Sequence, residues 1–285
     1  MLGSNVKYPF YSSQRTIYEP AHIIRTNQAD FCKLKPKISK PYSSIKNYKE
    51  IQFWLKMHPK TTISILSEYA ISIAWEETIS AQKHQHILWV KEMLEKANFP
   101  QFIVAIPSYH KMSVLFEEDE HSILILKERL EKWLNELYRN IPTNNTTLQQ
   151  TVNQQIWEIP VHYGGVNGPD LTPLAAKNRI PETEVIRLHT QATYYVYMIG
   201  FTAGFPFLGG LNEQLYTPRK ASPRLKVAAG SVGIGGEQTG VYPLEAPGGW
   251  QLIGKTDFQF FKDLESFDSV IKAGDLVQFK SIENQ

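Results

Sequence analysis

Glycine is spread so unevenly along the 285 residues that the two halves of the chain cannot be built alike. None occurs between Gly3 and Gly164, whereas 12 of the 17 lie between Gly200 and Gly254, together with five prolines. Glycine admits positive φ and the close approach of another backbone or ring, and proline fixes φ. A segment dense in both is therefore costly unless a particular shape is required. Ordinary amphipathic elements are expected in the first half and tightly turned chain in the second.

In the first half, Ile63, Ile65, Ile71 and Ile73 alternate, as do Met112, Val114 and Phe116, which suits half-buried strands. Gln101 to Ile106, closed by Pro107, reads as an inner strand. Ile87, Val90, Leu94 and Ala97 recur at helical spacing, and Ile123, Leu126, Leu130, Trp133 and Leu137 do so again. The expected order is β-β-α-β-β-α, a small α+β domain over residues 57–140. His84, His86 and His121 fall on or near these helices; two residues apart, His84 and His86 point apart, and solvent-exposed imidazoles rather than metal ligands are expected.

Residues 141–155, IPTNNTTLQQTVNQQ, lack a sustained apolar period and read as a linker. Short runs follow at Ile156–Val161, Thr193–Ile199, Val227–Ala229 and Leu276–Phe279, each bounded by Gly, Pro or Asn. That pattern predicts an all-β barrel or sandwich over residues 156–285. One helical interruption is expected where Pro181 opens PETEVIRLHT with acidic residues in its first turn.

Charge divides the chain differently. Residues 1–56 hold 10 Lys/Arg against 3 Asp/Glu and the remainder 20 against 25, so the net +2 conceals a basic extension on an acidic body. That extension is expected to be disordered, or to precede a true start at Met57. An acidic body argues against a nucleic-acid partner. Cys32, the single cysteine, cannot form an internal disulfide, and no apolar run is long enough to span a membrane; a cytoplasmic protein is expected.

Gly249, Gly254, Lys255 and Thr256 match the phosphate-loop pattern. The residues between, Trp250 to Ile253, alternate like a strand, and Ala246–Pro247–Gly248 before them reads as a turn, so a barrel strand is expected instead. The glycines from Gly230 to Gly236 offer no dinucleotide register. Around the glycine-rich stretch stand His189, Arg219, Arg224, Glu237, Gln238, Tyr242 and Lys255. Arginine forks match carboxylate or phosphate, Gln and Tyr can read an amide, and His moves protons near neutrality. Together they suit a small anionic, amide-bearing ligand.

The runs GPDL (Gly168–Leu171), EVIRLHT (Glu184–Thr190), GFTAGFPFLGGL (Gly200–Leu211), the long segment Thr217–Thr256 and AGDLVQF (Ala273–Phe279) resemble the 5-oxoprolinase B-subunit family, also called the Kip-type sensor-histidine-kinase inhibitor family. The resemblance runs from about Thr61 to Ile282 and implies an N-terminal α+β domain followed by a cyclophilin-like β-barrel. The chain is also similar to the first half of the carboxyltransferase region of urea carboxylases, where such a barrel works beside a second one.

By resemblance, the activity is ATP-dependent opening of 5-oxo-L-proline to L-glutamate. The implied partners are the C-type subunit, which is a second barrel, and the A-type subunit, of the LamB/YcsF type. ATP and Mg are implied for the assembly, and neither is assigned to this chain. His189, Arg219, Arg224, Gln238, Tyr242 and Trp250 coincide with family motif positions. The expectation is that Arg219 and Arg224, with Lys255 and Trp250, serve the carboxylate or phosphate, Gln238 and Tyr242 the lactam, and His189 proton handling. Three positions depart from the family: Ala203 replaces proline, Phe207 tyrosine and Lys255 arginine, the last making the phosphate-loop match an accident. The family's other activity, inhibition of a sensor histidine kinase, would use an exposed aromatic loop at Phe201–Leu211 as its anchor.

Overall fold

A computed structural model describes residues 60–76, 78–117, 122–140 and 154–282. The basic extension, His121 and residues 141–153 of the expected linker lie outside the described residues. Everything described belongs to one compact unit.

Strands Thr62–Ser67 (β1), Ala70–Ala74 (β2), Phe102–Ser108 (β3) and Lys111–Phe116 (β4) form an antiparallel sheet in the order β1-β2-β4-β3. Helices Ala81–Lys96 (α1) and Ile123–Arg139 (α2) interleave in the expected sequence. The helix α1 starts where it does because the Ser80 hydroxyl accepts the Lys83 N–H. Alternation turns Ile71, Ile73, Met112, Val114 and Phe116 to one face, where Ile87, Val90 and Leu94 of α1 and Leu126, Leu130 and Leu134 of α2 complete a single core. The strand expected to be inner, β3, is instead an edge strand. Pro107 has no N–H for a second neighbour, and Ile103 and Ile106 stay exposed.

The histidine expectation is also overturned, because α1 is buried on two sides. His86 turns toward α2, where Nε2 lies 2.9 Å from Tyr138 Oη. His84 turns the other way, with Nδ1 2.9 Å from Tyr195 Oη of the second half. The two do point apart, as the helical period requires, yet each meets protein rather than solvent.

The second half closes into a barrel of seven strands. They are Ile156–Tyr163 (β5), Thr193–Ile199 (β6), Pro206–Gly209 (β7), Ser231–Gly235 (β9), Gln238–Val241 (β10), Gln251–Lys255 (β12) and Leu276–Ser281 (β13). The closed order is β10-β7-β6-β13-β5-β12-β9, antiparallel except for the β13–β5 pair. Two short strands, Arg224–Val227 (β8) and Ala246–Gly248 (β11), pair separately, so the turn expected at Ala246–Gly248 is a strand. Two helices interrupt the strands rather than one: Leu171–Asn178 (α3), which the sequence pattern does not reveal, and Glu182–Gln191 (α4), with Pro181 as its N-cap.

Alternation divides the barrel wall. Ile159, Val161, Tyr163, Val232, Ile234, Val241, Val277 and Phe279 pack inside. The phosphate-loop look-alike is strand β12, hydrogen-bonded to both β9 and β5, an extended strand and not a loop that cradles a phosphate. The segment expected as an exposed anchor is not exposed: Phe205, Leu208 and Leu211 are buried, and Pro206–Gly209 is barrel strand β7.

Candidate functional site

The glycine density acquires its reason on the outer face of the barrel. Thr239 and Val241 of β10 point inward, so Gln238, Gly240 and Tyr242 share the outer side; on β9 the outer positions are Ser231, Gly233 and Gly235. Side chains on those glycines would collide with an aromatic layer. A Cβ on Gly235 would lie 2.6 Å from Trp250 Nε1, one on Gly240 would lie 3.1 Å from Phe205 Cε1, and one on Gly248 would strike the Tyr242 hydroxyl. Phe205 is the hub of that layer, its ring edge-on to Tyr242 at 5.0 Å and to Trp250 at 5.3 Å. Phe201 and Phe207 pack against it, Phe201 from a backbone held at φ 71°, where a bulky residue is rarely found.

Polar groups rim this layer. The Arg219 guanidinium lies over the Trp250 ring, 5.8 Å from its centroid, and donates no hydrogen bond to a described residue. Tyr242 is 1% exposed; burial raises its phenol, partly offset by the Trp250 backbone and the charges of Arg219 and Arg224. Gln238 Nε2 lies 2.5 Å from the hydroxyl of Tyr109, on the turn between β3 and β4. Arg219 and Trp250 are in contact and Tyr242 lies within the same aromatic layer, whereas Gln238, four positions along the same face of the strand, meets a group from the other half of the chain. Tyr109 had no signal in the sequence, because only folding carries that turn to the barrel. Glu237 beside them is partly buried, its carboxyl raised by desolvation and by Glu213.

Arg224 is placed differently from its expected role. Its Nη2 contacts both oxygens of Asp170 at 2.8 Å, and Lys220 Nζ adds a third contact at 2.9 Å. The Leu252 N–H donates to Asp170 Oδ2 at 2.7 Å. Burial alone would raise the Asp170 carboxyl; the bonds from Arg224, Leu252 and Lys220 outweigh it and hold it below the ordinary carboxylate range. Arg224 therefore clamps the chain that carries Arg219 against α3 and β12, and its charge is already matched.

His189 lies on the opposite side of the barrel wall. It is fully buried, stacked on Phe279 at 4.5 Å. Thr239 donates its hydroxyl proton to the Gly233 carbonyl, so at 2.8 Å its oxygen accepts from His189 Nε2–H, which leaves Nδ1 to accept from Tyr163 Oη at 2.7 Å. Burial lowers the imidazole to about 3. A neutral ring with both nitrogens engaged cross-braces the interior; it does not share the outer face with Arg219 and Tyr242.

Lys255 returns to the outer face. Register places Tyr242, Ser231, Lys255 and His162 in one row across β10, β9, β12 and β5, so Lys255 stands two strands from Tyr242, about 10 Å at the usual strand spacing. It neighbours the aromatic layer without joining it. Among the described residues no three His, Cys, Asp or Glu gather as a metal site, and no helix is long and apolar enough to cross a membrane.

Comparison with known proteins places these features in a family. The carboxyltransferase domain, subdomain C and D, matches residues 61–269. The B subunit of 5-oxoprolinase from Bacillus subtilis (strain 168) is 40% identical over 228 residues, covering 78% of this chain and 93% of that protein. The crystal structure of TTHA0988 is similar with a TM-score of 0.63 at 30% identity over 76% of this chain; the match spans 40% of TTHA0988, the longer of the two. The urea amidolyase of K. lactis, at 18% identity and a TM-score of 0.63, shares the fold over 80% of this chain and 15% of its own.

Proposed function

The chain belongs to the carboxyltransferase-domain family, subdomain C and D, and from that premise we propose that it is the B-type subunit of a 5-oxoprolinase, working in an assembly that opens 5-oxo-L-proline to L-glutamate at the expense of ATP. The observation that carries this reading is the Arg219 guanidinium, lying over Trp250 and near enough to Tyr242 and Tyr109 for its charge to act on both phenols, with no acidic partner among the described residues. The proposed substrate is a carboxylate joined to a five-membered cyclic amide. Arg219 would hold the carboxylate, and Gln238 and Tyr242 would face the lactam.

A five-membered lactam resists hydrolysis, and phosphorylating its amide oxygen creates a leaving group. What remains for the protein is to orient the ring and neutralise charge. The aromatic layer supplies a dry wall in which those contacts strengthen. We assign His189 to bracing the barrel, with no direct part in proton transfer, and Arg224 to shaping the Arg219 segment.

The proposed partners are a second barrel protein and a LamB/YcsF-type protein, by likeness to the family, and a cytoplasmic location is proposed with them. The kinase-docking alternative is not favoured: in its intended anchor, Phe201 to Leu211, the residues Phe205, Leu208 and Leu211 are buried in this chain's own core. The test combines this chain with both partners, ATP, Mg²⁺ and 5-oxoproline and measures glutamate. Arg219→Ala is expected to cut kcat/KM about a hundredfold, the loss of one charge-assisted anchor, with the fold unchanged. No glutamate from a stable, correctly assembled complex would overturn the proposal.

A further inference from the structure

We infer that Tyr109, on the turn between β3 and β4, is a positioning residue for the barrel site and holds the Gln238 amide in its working orientation. The inference rests on the reading of the site just proposed and extends it to the first half of the chain. Two of the contacts of Tyr109 bear on Gln238. Its ring stacks on Tyr197 of β6 at 5.5 Å with planes 21° apart, and its hydroxyl meets Gln238 Nε2 at 2.5 Å. Tyr197 is itself immobilised, edge-on to His84 at 5.5 Å and to Tyr195 at 4.8 Å, over a position where Gly209 has no side chain to obstruct it. The buried His84 of α1 thus backs a column of rings that ends at the Gln238 amide.

The chemical consequence concerns which end of that amide is available. A glutamine side chain alone rotates freely, and its oxygen and nitrogen present opposite hydrogen-bonding characters. With one N–H of Nε2 donated to Tyr109, the carbonyl oxygen is the end of the Gln238 amide turned away from that contact, and it requires a donor. The N–H of a cyclic amide is such a donor, while Arg219 stands ready for that ligand's carboxylate. Tyr109 would therefore favour unsubstituted lactams over rings whose nitrogen carries no hydrogen, because an unmatched buried acceptor is penalised.

Tyr109→Phe removes only the hydroxyl and keeps the stacked ring. In the assembled enzyme it is expected to lower kcat/KM for 5-oxoproline about tenfold, the loss of one hydrogen bond. The same change made on top of Gln238→Ala is expected to have no further effect, since the two act as a unit. Unaltered turnover in Tyr109→Phe, or an equal loss in both backgrounds, would overturn the assignment. Urea unfolding of the full chain carries the same cycle independently of catalysis. Non-additive effects of the two substitutions are expected there, and strict additivity would remove the contact itself. A wild-type complex without turnover would sink the function proposed above, and the unfolding cycle would still decide whether Tyr109 holds Gln238.

Discussion

Lowering the pH from 7 to 5 is expected to remove about 6 kcal/mol of folding stability, comparable with the whole margin of an ordinary domain. The source is three imidazoles held neutral by burial. His84, His86 and His189 are 0%, 3% and 0% exposed, and desolvation lowers each from 6.5 to about 3. Between those values the unfolded chain binds protons that the folded chain refuses, so stability rises with pH across the window and falls on acidification. One imidazole contributes about 2 kcal/mol over the interval, and the three, which share no hydrogen-bond partner among the described residues, sum to about 6 kcal/mol. Asp170 acts in the same direction lower down: its carboxyl is depressed, so the stability it supplies is present above the ordinary carboxylate range and is lost as pH falls below it. Urea unfolding followed by tryptophan fluorescence and far-UV circular dichroism at half-unit pH steps would give the slope. His189→Gln should reduce that slope by about a third, since one of three titrating groups is gone. A stability flat to within about 1 kcal/mol from pH 7 to 5 would refute the claim that these rings are neutral in the folded protein.

Other substitutions separate scaffold from site. Asp170→Asn leaves Arg224 and Lys220 without their counter-charge and should cost about 3–5 kcal/mol of stability, read as a fall in the urea midpoint with unchanged m. Gly235→Ala forces the Trp250 ring to move and should cost about 1–3 kcal/mol; shifted tryptophan emission together with a raised KM for 5-oxoproline would show that Arg219 has lost its platform.

Parts of this protein were legible in the sequence because they depend on local periodicity. The α2 helix and strands β2 and β4 follow from residues that repeat every 3.6 or every 2 positions, β6 from a short run bounded by turn residues, and the strand inside the Gly249–Thr256 pattern from alternation that no phosphate loop would show. Glycine density marked the stretch around Arg219, Gln238 and Tyr242, but it drew in His189, Arg224 and Lys255 as well, and Trp250 came only from the family resemblance. Strand order was beyond reach: β3 looked like an inner strand by its apolar run, and only pairing made it an edge.

What the sequence by itself determined is which residues alternate, which segments must bend and which side chains bring charge. What only the tertiary structure decided is which side of a wall each group faces and what it meets there. His189 and Tyr242 flank the same barrel strands, yet one is a neutral interior brace and the other belongs to the outer layer. Arg219 and Arg224 are five residues apart, yet Asp170 neutralises only the second. Tyr109 reaches Gln238 across 129 residues of chain. The physical reason is common to all three. Burial and counter-charge belong to the neighbours a residue acquires in space, and no window of sequence contains those neighbours.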